Sequence, residues 1–124
     1  MSVNKRILVV DDSATMLMSL KGSLEMSGFK VDTAIDGKAA LDKIKAGLKP
    51  DLIISDLNMP RMDGIELVRE TRKVLKFTPI LMLSTESQKA KREQAKAQGA
   101  TGWLMKPIHG SDLLKVVWQV VPNS

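Results

Sequence analysis

In the stretch Asp51-Leu52-Ile53-Ile54-Ser55-Asp56-Leu57-Asn58-Met59-Pro60, a short apolar run ends on a carboxylate and a proline closes the segment. Residues 52–54 are apolar without alternation, so a strand here has to be covered on both faces, as the strands of a parallel sheet are. The same form recurs on either side: Ile7-Leu8-Val9-Val10 runs into Asp11-Asp12, and Ile80-Leu81-Met82-Leu83 runs into Ser84-Thr85. Between these runs, apolar residues fall at helical spacing. The pattern is a strand and a helix repeated five times, with strands at Arg6–Val10, Lys30–Ala34, Asp51–Ser55, Pro79–Leu83 and Gly102–Met105. The second and fifth strands are the more polar, which fits edge positions.

The first helix is expected to start after Ser13, whose hydroxyl can cap it, to bury Leu17, Leu20 and Leu24, and to stop at Gly28. The second runs from about Gly37 to Ala46 and ends at Gly47. The third follows Gly64, with Ile65, Val68, Arg72 and Leu75 spaced so that its apolar members share a face. The fourth, from about Ser87 to Gln98, is mostly polar and ends at Gly99; its apolar face is the weakest, so it is expected to be the most mobile helix. The fifth carries Leu113, Leu114, Val116, Val117 and Val120 as a broad stripe. Parallel strands joined by right-handed crossovers give an α/β fold, a doubly wound five-stranded parallel sheet with helices on both faces. Ligands of such folds collect at the carboxyl ends of the strands.

Composition narrows the function. A chain of 124 residues, 44% of them hydrophobic, is expected to form one domain, residues 1–124. It has no cysteine and a single histidine, which leaves neither a disulfide framework nor a thiolate zinc site, so any metal has to be held by oxygen. The net charge of +5 is scattered, and two Phe, two Trp and no Tyr supply no stacking platform, so no nucleic-acid partner is expected. Lys89, Lys91, Arg92 and Lys96 form the densest basic stretch; a solvated helix face is its ordinary reading, an acidic protein partner the next, nucleic acid the third. The run Ile7–Val10 is too short for a signal-peptide core or a membrane span, which makes the cytoplasm the expected location and a membrane role unexpected. No helix shows a second apolar stripe, so a monomer is expected.

At the strand ends stand Asp11-Asp12, Asp56, Ser84-Thr85 and Lys106-Pro107. An acidic pair at a helix start would ordinarily complement the helix dipole. Asp56 does not fit that explanation, since it follows a buried strand and would lie beside the pair. Three carboxylates that close repel one another, so either some stay protonated or a divalent cation binds. With few oxygen ligands, Mg2+ retaining several waters is the natural choice, and Mn2+ or Ca2+ could substitute. A metal with open positions beside a carboxylate and a lysine suits a phosphoryl group: Asp56 as nucleophile, Lys106 offsetting charge, Ser84 donating a hydrogen bond. Acyl phosphates are labile, which favours a transient signal. Lys106 alone would read as a solvated lysine; its position after the fifth strand and before Pro107 raises it above that. By frequency the bond before Pro107 should be trans. Trp103 is open between packing at the sheet edge and a switch role, Trp118 reads as partly buried packing, and His109 as a surface residue. Trp103, Met105 and the fourth helix make an apolar and basic surface that a partner could read.

These residues resemble the receiver domain of two-component response regulators, most of all the stand-alone CheY-like chemotaxis regulators. The resemblance runs from Lys5 to about Val121 and rests on Val-Val-Asp11-Asp12-Ser13, Ser-Asp56-Leu-Asn-Met-Pro60 followed by Met-Asp63-Gly64, Leu-Ser84-Thr85-Glu86, and Lys106-Pro107. It implies the flavodoxin-like strand order 2-1-3-4-5, a histidine kinase as phosphodonor, and Asp56 as the phosphoacceptor. It further implies Mg2+ held by Asp12, Asp56 and the Asn58 main-chain carbonyl, with Asp11 acting mainly through water. Ser84 and Lys106 would contact the bound phosphate, and the peptide before Pro107 would be cis. The family's switch couples the strand-four hydroxyl to an aromatic residue on strand five, here Trp103, with Thr85 beside the hydroxyl.

The expected function is a single-domain response regulator that signals by phosphorylation-dependent protein binding, in chemotaxis, with a downstream target such as the flagellar motor switch. No separate output domain fits in this length, so the output is expected to be noncovalent. A phosphate sink, a regulator of another pathway and a phosphate-independent binding module are the alternatives. An aspartyl phosphatase acting on outside substrates is disfavoured, because Asn58 stands where a second acid would be needed; autodephosphorylation is expected instead. A flavin carrier is disfavoured because Asp11-Asp12 would repel its phosphate. Asn58 and Glu86 border the site and are expected to tune the lifetime of the phosphorylated form by gating water.

Overall fold

The computed structural model describes residues 4–85 and 88–121. Strands and helices alternate: β1 (Arg6–Val10), α1 (Ala14–Met26), β2 (Lys30–Ala34), α2 (Gly37–Lys45), β3 (Leu52–Asp56), α3 (Gly64–Arg72), β4 (Ile80–Ser84), α4 (Lys89–Gln98), β5 (Gly102–Met105) and α5 (Gly110–Val120). The five strands form one sheet in the order β2-β1-β3-β4-β5, and every pair is parallel. The more polar strands β2 and β5 take the edges, as expected from their composition.

Successive residues of a strand point to opposite faces, and the core divides accordingly. Ile7, Val9, Leu52, Ile54, Leu81 and Leu83 pack with Leu17, Leu20 and Leu24 of α1 and with Leu113 and Val117 of α5. Leu8, Val10, Ile53, Ile80 and Met82 pack on the other side with Leu41 and Ile44 of α2, Leu67 and Val68 of α3, and Ala95 of α4. This two-sided burial is the reason the central runs are apolar at every position.

Helix boundaries follow local chemistry. The Ser13 hydroxyl accepts a hydrogen bond from the Met16 N–H at 3.2 Å, and Gly28 takes the left-handed conformation just past the end of α1. Both β3 and β4 lie one residue later than expected. Asp56 is drawn into the ladder opposite Leu83, and Pro79, which has no N–H to donate, is left before β4 although its carbonyl accepts from the Ile53 N–H.

The third helix departs further. It ends at Arg72, and its buried side chains are Leu67, Val68 and Thr71, with Ile65 only half-buried. Leu75 lies beyond it, and Arg72 turns away from the apolar face to donate to the Gly99 carbonyl at 3.1 and 2.8 Å and to the Leu75 carbonyl at 3.0 Å. Spacing alone could not show that this arginine ties α3 to the end of α4. Ala95 is the one fully buried residue of α4 among those described, in line with its weak apolar face, while the expected start at Ser87 lies outside the described residues. In α5 only Leu113 and Val117 are fully buried; Leu114, Val116 and Val120 border the core. Trp118 packs on Phe29 with ring centroids 5.0 Å apart. Among the described residues no helix is long and apolar enough to cross a membrane.

Candidate functional site

The site forms where the neighbouring interior strands β1 and β3 release their chains. Asp11 follows β1 immediately and is 2% exposed; its backbone N–H still donates to the Ala34 carbonyl, so the residue is held as an extension of the strand. One carboxylate oxygen accepts from the Ser13 N–H at 2.9 Å and the other from Lys106 Nζ at 3.0 Å. Asp12 points outward and is exposed. Asp56 is the last residue of β3, half-buried, and its Oδ1 accepts from the Leu57 N–H at 2.9 Å. Asp11, Asp12 and Asp56 each offer an oxygen within 4.8 Å of the others.

Lys106 enters from beyond β5, and its ammonium sits between Asp11 and Asp56, 3.3 Å from the latter. Its backbone N–H donates to the Ser84 carbonyl at 2.8 Å, which extends the β4–β5 pairing by one rung, and the Lys106–Pro107 peptide is cis. The trans form suggested by frequency is therefore corrected, and the cis form implied by the resemblance is the one present.

Burial raises the pKa of Asp56; Lys106 opposes this and the Asp11 charge reinforces it. Burial by itself would lower the pKa of Lys106, but the hydrogen bond to Asp11 and the charge of Asp56 more than offset it and raise it overall. At neutral pH the lysine is thus a fixed cation, set among three carboxyl groups. A small hard cation is the natural complement: the donors are all oxygen, gathered closely enough to share one ion, and Asp12 and Asp56 are open to solvent on one side.

Ser84 ends β4 and is 1% exposed, whereas Thr85 beside it is exposed. Asn58 is exposed in the β3–α3 loop. Trp103 is half-buried and packs against the cluster beneath α2, α3 and α4, while Met105 at the end of β5 is 43% exposed. Lys89, Arg92, Lys96 and Trp103 line one groove along α4 and β5. His109 is exposed and precedes α5 without a side-chain cap bond. Glu86 lies outside the described residues.

One further ion pair joins loops that are distant in sequence. Asp36, 3% exposed, caps α2 by accepting from the Ala39 N–H at 2.8 Å and receives Arg61 Nε at 2.8 Å and Nη2 at 3.1 Å. The Arg61 hydrogen bonds come first in lowering the Asp36 pKa, followed by the cap bond. Asp36-Gly37 carries a visible capping signal, but nothing in the order of residues joins it to Arg61.

Residues 7–118 match the model of the response regulator receiver domain. The chain is 40% identical over 106 residues to the alkaline phosphatase synthesis transcriptional regulatory protein PhoP of Bacillus subtilis, a match covering 86% of this chain and 44% of that protein. It is 39% identical over 109 residues to the transcriptional regulatory protein PrrA of Mycobacterium leprae, covering 88% of this chain and 46% of that one. It thus spans about half the length of these curated relatives. Among solved structures, the Vibrio cholerae chemotaxis protein CheY4 superposes with a TM-score of 0.90 at 44% identity, over 95% of this chain and 99% of that one. A CheY-like receiver domain protein of Methanospirillum hungatei gives 0.92 at 29% identity, over 96% and 94%. With its five-stranded order, its acidic strand ends and these matches, the chain belongs to the family of two-component response regulator receiver domains.

Proposed function

We propose that this receiver domain is a phosphorylation switch in which Asp56 accepts a phosphoryl group from a histidine kinase with Mg2+ bound at the acidic cluster. The observation that carries this reading is the placement of Lys106 Nζ between Asp11 and Asp56, beside three carboxylate oxygens gathered within 4.8 Å. In the reaction, a carboxylate oxygen of Asp56 forms a bond to phosphorus. The bond from phosphorus to the donor's imidazole nitrogen breaks, and that nitrogen keeps the electron pair. When bound, Mg2+ supplies charge compensation for the phosphoryl oxygens. Asp12, Asp56 and the Asn58 main-chain carbonyl are the residues proposed to hold it, with Asp11 acting mainly through water; Mn2+ is an alternative ion.

Lys106 is a second fixed positive charge for the phosphoryl oxygens, and its pairing with buried Asp11 aims it without further reorganisation. The Ser84 hydroxyl donates to a phosphoryl oxygen, and Thr85 stands next to it at the solvent edge. Water attack on the acyl phosphate returns the carboxylate and inorganic phosphate, so the domain resets itself; Asn58 and Glu86 are proposed to gate that water. Output runs through a protein partner that reads Trp103, Met105 and the basic groove of α4, an acidic and partly apolar target fitting that surface. The likeness to the chemotaxis protein CheY4 at 44% identity supports chemotaxis as the output; the likeness to transcriptional regulators supports the same switch serving transcription.

Intact mass after incubation with a small-molecule phosphodonor tests the switch. A single phosphate adduct that needs Mg2+ and is lost in Asp56→Asn is expected; an adduct that persists in Asp56→Asn would place the acceptor elsewhere, and no adduct on the wild type would favour a phosphate-independent binding module.

A further inference from the structure

We infer that the Arg61–Asp36 ion pair is a positioning clamp for the metal site, holding the β3–α3 loop that leaves Asp56 in the shape that ion binding requires. The inference rests on the Mg2+-dependent reading above and concerns two residues outside the acidic cluster.

The loop from Leu57 to Asp63 starts at the proposed phosphoacceptor and includes Asn58, whose carbonyl is proposed as a ligand. Its ends are tied by the Gly64 N–H donating to the Leu57 carbonyl at 2.8 Å. Inside it, the Met62 N–H donates to the Pro60 carbonyl at 2.7 Å across Arg61, which has a φ of 66°. A three-residue turn of this kind with positive φ at its centre is rare and strained, and arginine lacks the freedom that glycine would have there. Hydrogen bonds within the loop do not explain why this shape persists.

Contacts to α2 do. Arg61 presents Nε and Nη2 to the two oxygens of Asp36 at 2.8 and 3.1 Å, a fork that a lysine cannot reproduce. The arginine side chain is 59% exposed but the carboxylate only 4%, which separates the pair from an ordinary surface ion pair, because a buried carboxylate needs its partners. Asp36 is itself fixed, since it caps α2 through Ala39. Gly37 completes the seat: a Cβ there would meet the Met62 carbonyl oxygen at 2.5 Å, so the loop backbone lies directly against the first turn of the helix. The strained turn is thus docked on a rigid support 25 residues away in sequence.

Calorimetric titration with Mg2+, paired with urea unfolding, tests the clamp on the wild type, Arg61→Ala, Arg61→Lys, Asp36→Asn and the double variant Asp36→Asn/Arg61→Ala. Arg61→Ala is expected to weaken Mg2+ binding about tenfold, the low end of what outer partners of metal ligands contribute. Arg61→Lys should recover only part of the loss. Asp36→Asn keeps a good helix cap yet should weaken binding in the same direction, and the double variant should bind no more weakly than Arg61→Ala, since both changes remove one contact. Wild-type Mg2+ affinity in Arg61→Ala and Asp36→Asn, whatever happens to their urea midpoints, overturns the inference and leaves a purely structural pair. If Arg61→Ala does not fold, Asp36→Asn and Arg61→Lys decide by the same criterion. A wild type that binds no Mg2+ overturns the reading of the site itself, which is a separate and recognisable failure.

Discussion

The central strand β3 and the edge strand β5, which follows α4, belong to the same sheet, yet they are built in opposite ways. β3 is paired on both sides, its residues 52–55 are buried, and the side chain it delivers, Asp56, meets a backbone N–H and an ammonium already in place. β5 is paired on one side, none of its four residues is fully buried, and α4 contributes a single buried alanine to the core. The group proposed to meet a phosphoryl donor stands on a strand held by neighbours on both sides. The surface proposed to report the event stands where packing is thin and a few kcal/mol can change a population. A receiver built this way can keep its chemistry rigid while its response stays soft.

The largest difference between the two regions should appear in stability. Ile54→Ala empties a fully buried position in β3 and is expected to cost about 2–5 kcal/mol. Leu104→Ala, on the edge strand, is expected to cost less than about 2 kcal/mol because this side chain borders the core and is not fully buried in it. Urea unfolding of both variants measures the gap; equal losses would mean that the edge is as tightly built as the centre.

Next in size is the ammonium that connects the edge to the centre. Lys106→Met leaves Asp11 and Asp56 facing each other with no cation between them, one of them buried. Removing one partner of a largely buried pair is expensive, and partial solvent access reduces the cost here to about 1–3 kcal/mol in the absence of divalent ions. Added Mg2+ should restore more stability to this variant than to the wild type, while phosphorylation of Asp56 should fall at least about tenfold. Thermal unfolding with and without Mg2+, together with intact mass, reads both effects.

How much of this was legible in the residues divides along the same line. The apolar runs of β1, β3 and β4 have one interpretation as strands covered on both faces, and the acids and the hydroxyl at their ends, with the lysine past β5, are then carried to one edge by topology. The Ser13 cap and the left-handed Gly28 and Gly99 were legible because they depend on neighbours in the chain. What lay hidden depends on partners far away. Arg72 was placed by spacing on an apolar face, but a carbonyl 27 residues on claims its guanidinium. Arg61 and Asp36 are unremarkable in their own segments and gain meaning only when two loops are brought together. Lys106 could be recognised as a site residue from its place before Pro107, but its shorter contact with Asp11 than with Asp56 could not.

Backbone opening differs between the two regions as well. α1 buries Leu17, Leu20 and Leu24, whereas α4 is anchored by Ala95 and by the Arg72 bonds to Gly99 at its end. Amides in the first turns of α4 are expected to exchange with solvent about tenfold faster or more than those in the middle of α1, a gap of about 1.4 kcal/mol in opening free energy. Hydrogen exchange resolved by residue measures it, and protection in α4 equal to that in α1 would remove the soft half of the picture.

The smallest expected effect is also the one with a definite sign. The Asp56 pKa is raised in the folded protein, chiefly by burial, so the folded state binds that proton more tightly than the unfolded state does. Its ionisation therefore works against folding, and the penalty grows as pH rises through the window between the ordinary carboxylate value and the raised one. Asp36 behaves in the opposite way. The hydrogen bonds from Arg61 lower its pKa, so it contributes stability above the ordinary carboxylate value and loses it as pH falls towards the lowered one. Without divalent ions, Asp56→Asn should thus raise the unfolding midpoint at pH 7, with the gain shrinking on acidification. Asp36→Asn should lower the midpoint at pH 7, with the loss shrinking on acidification. The two difference curves approach zero from opposite sides. Midpoints measured from neutral pH down to the onset of acid unfolding test the pair together: a loss of stability in Asp56→Asn at pH 7 would show that the Lys106 contact outweighs burial at the proposed phosphoacceptor, and the rigid centre would then rest on attraction to the lysine instead of holding a carboxylate against its own desolvation.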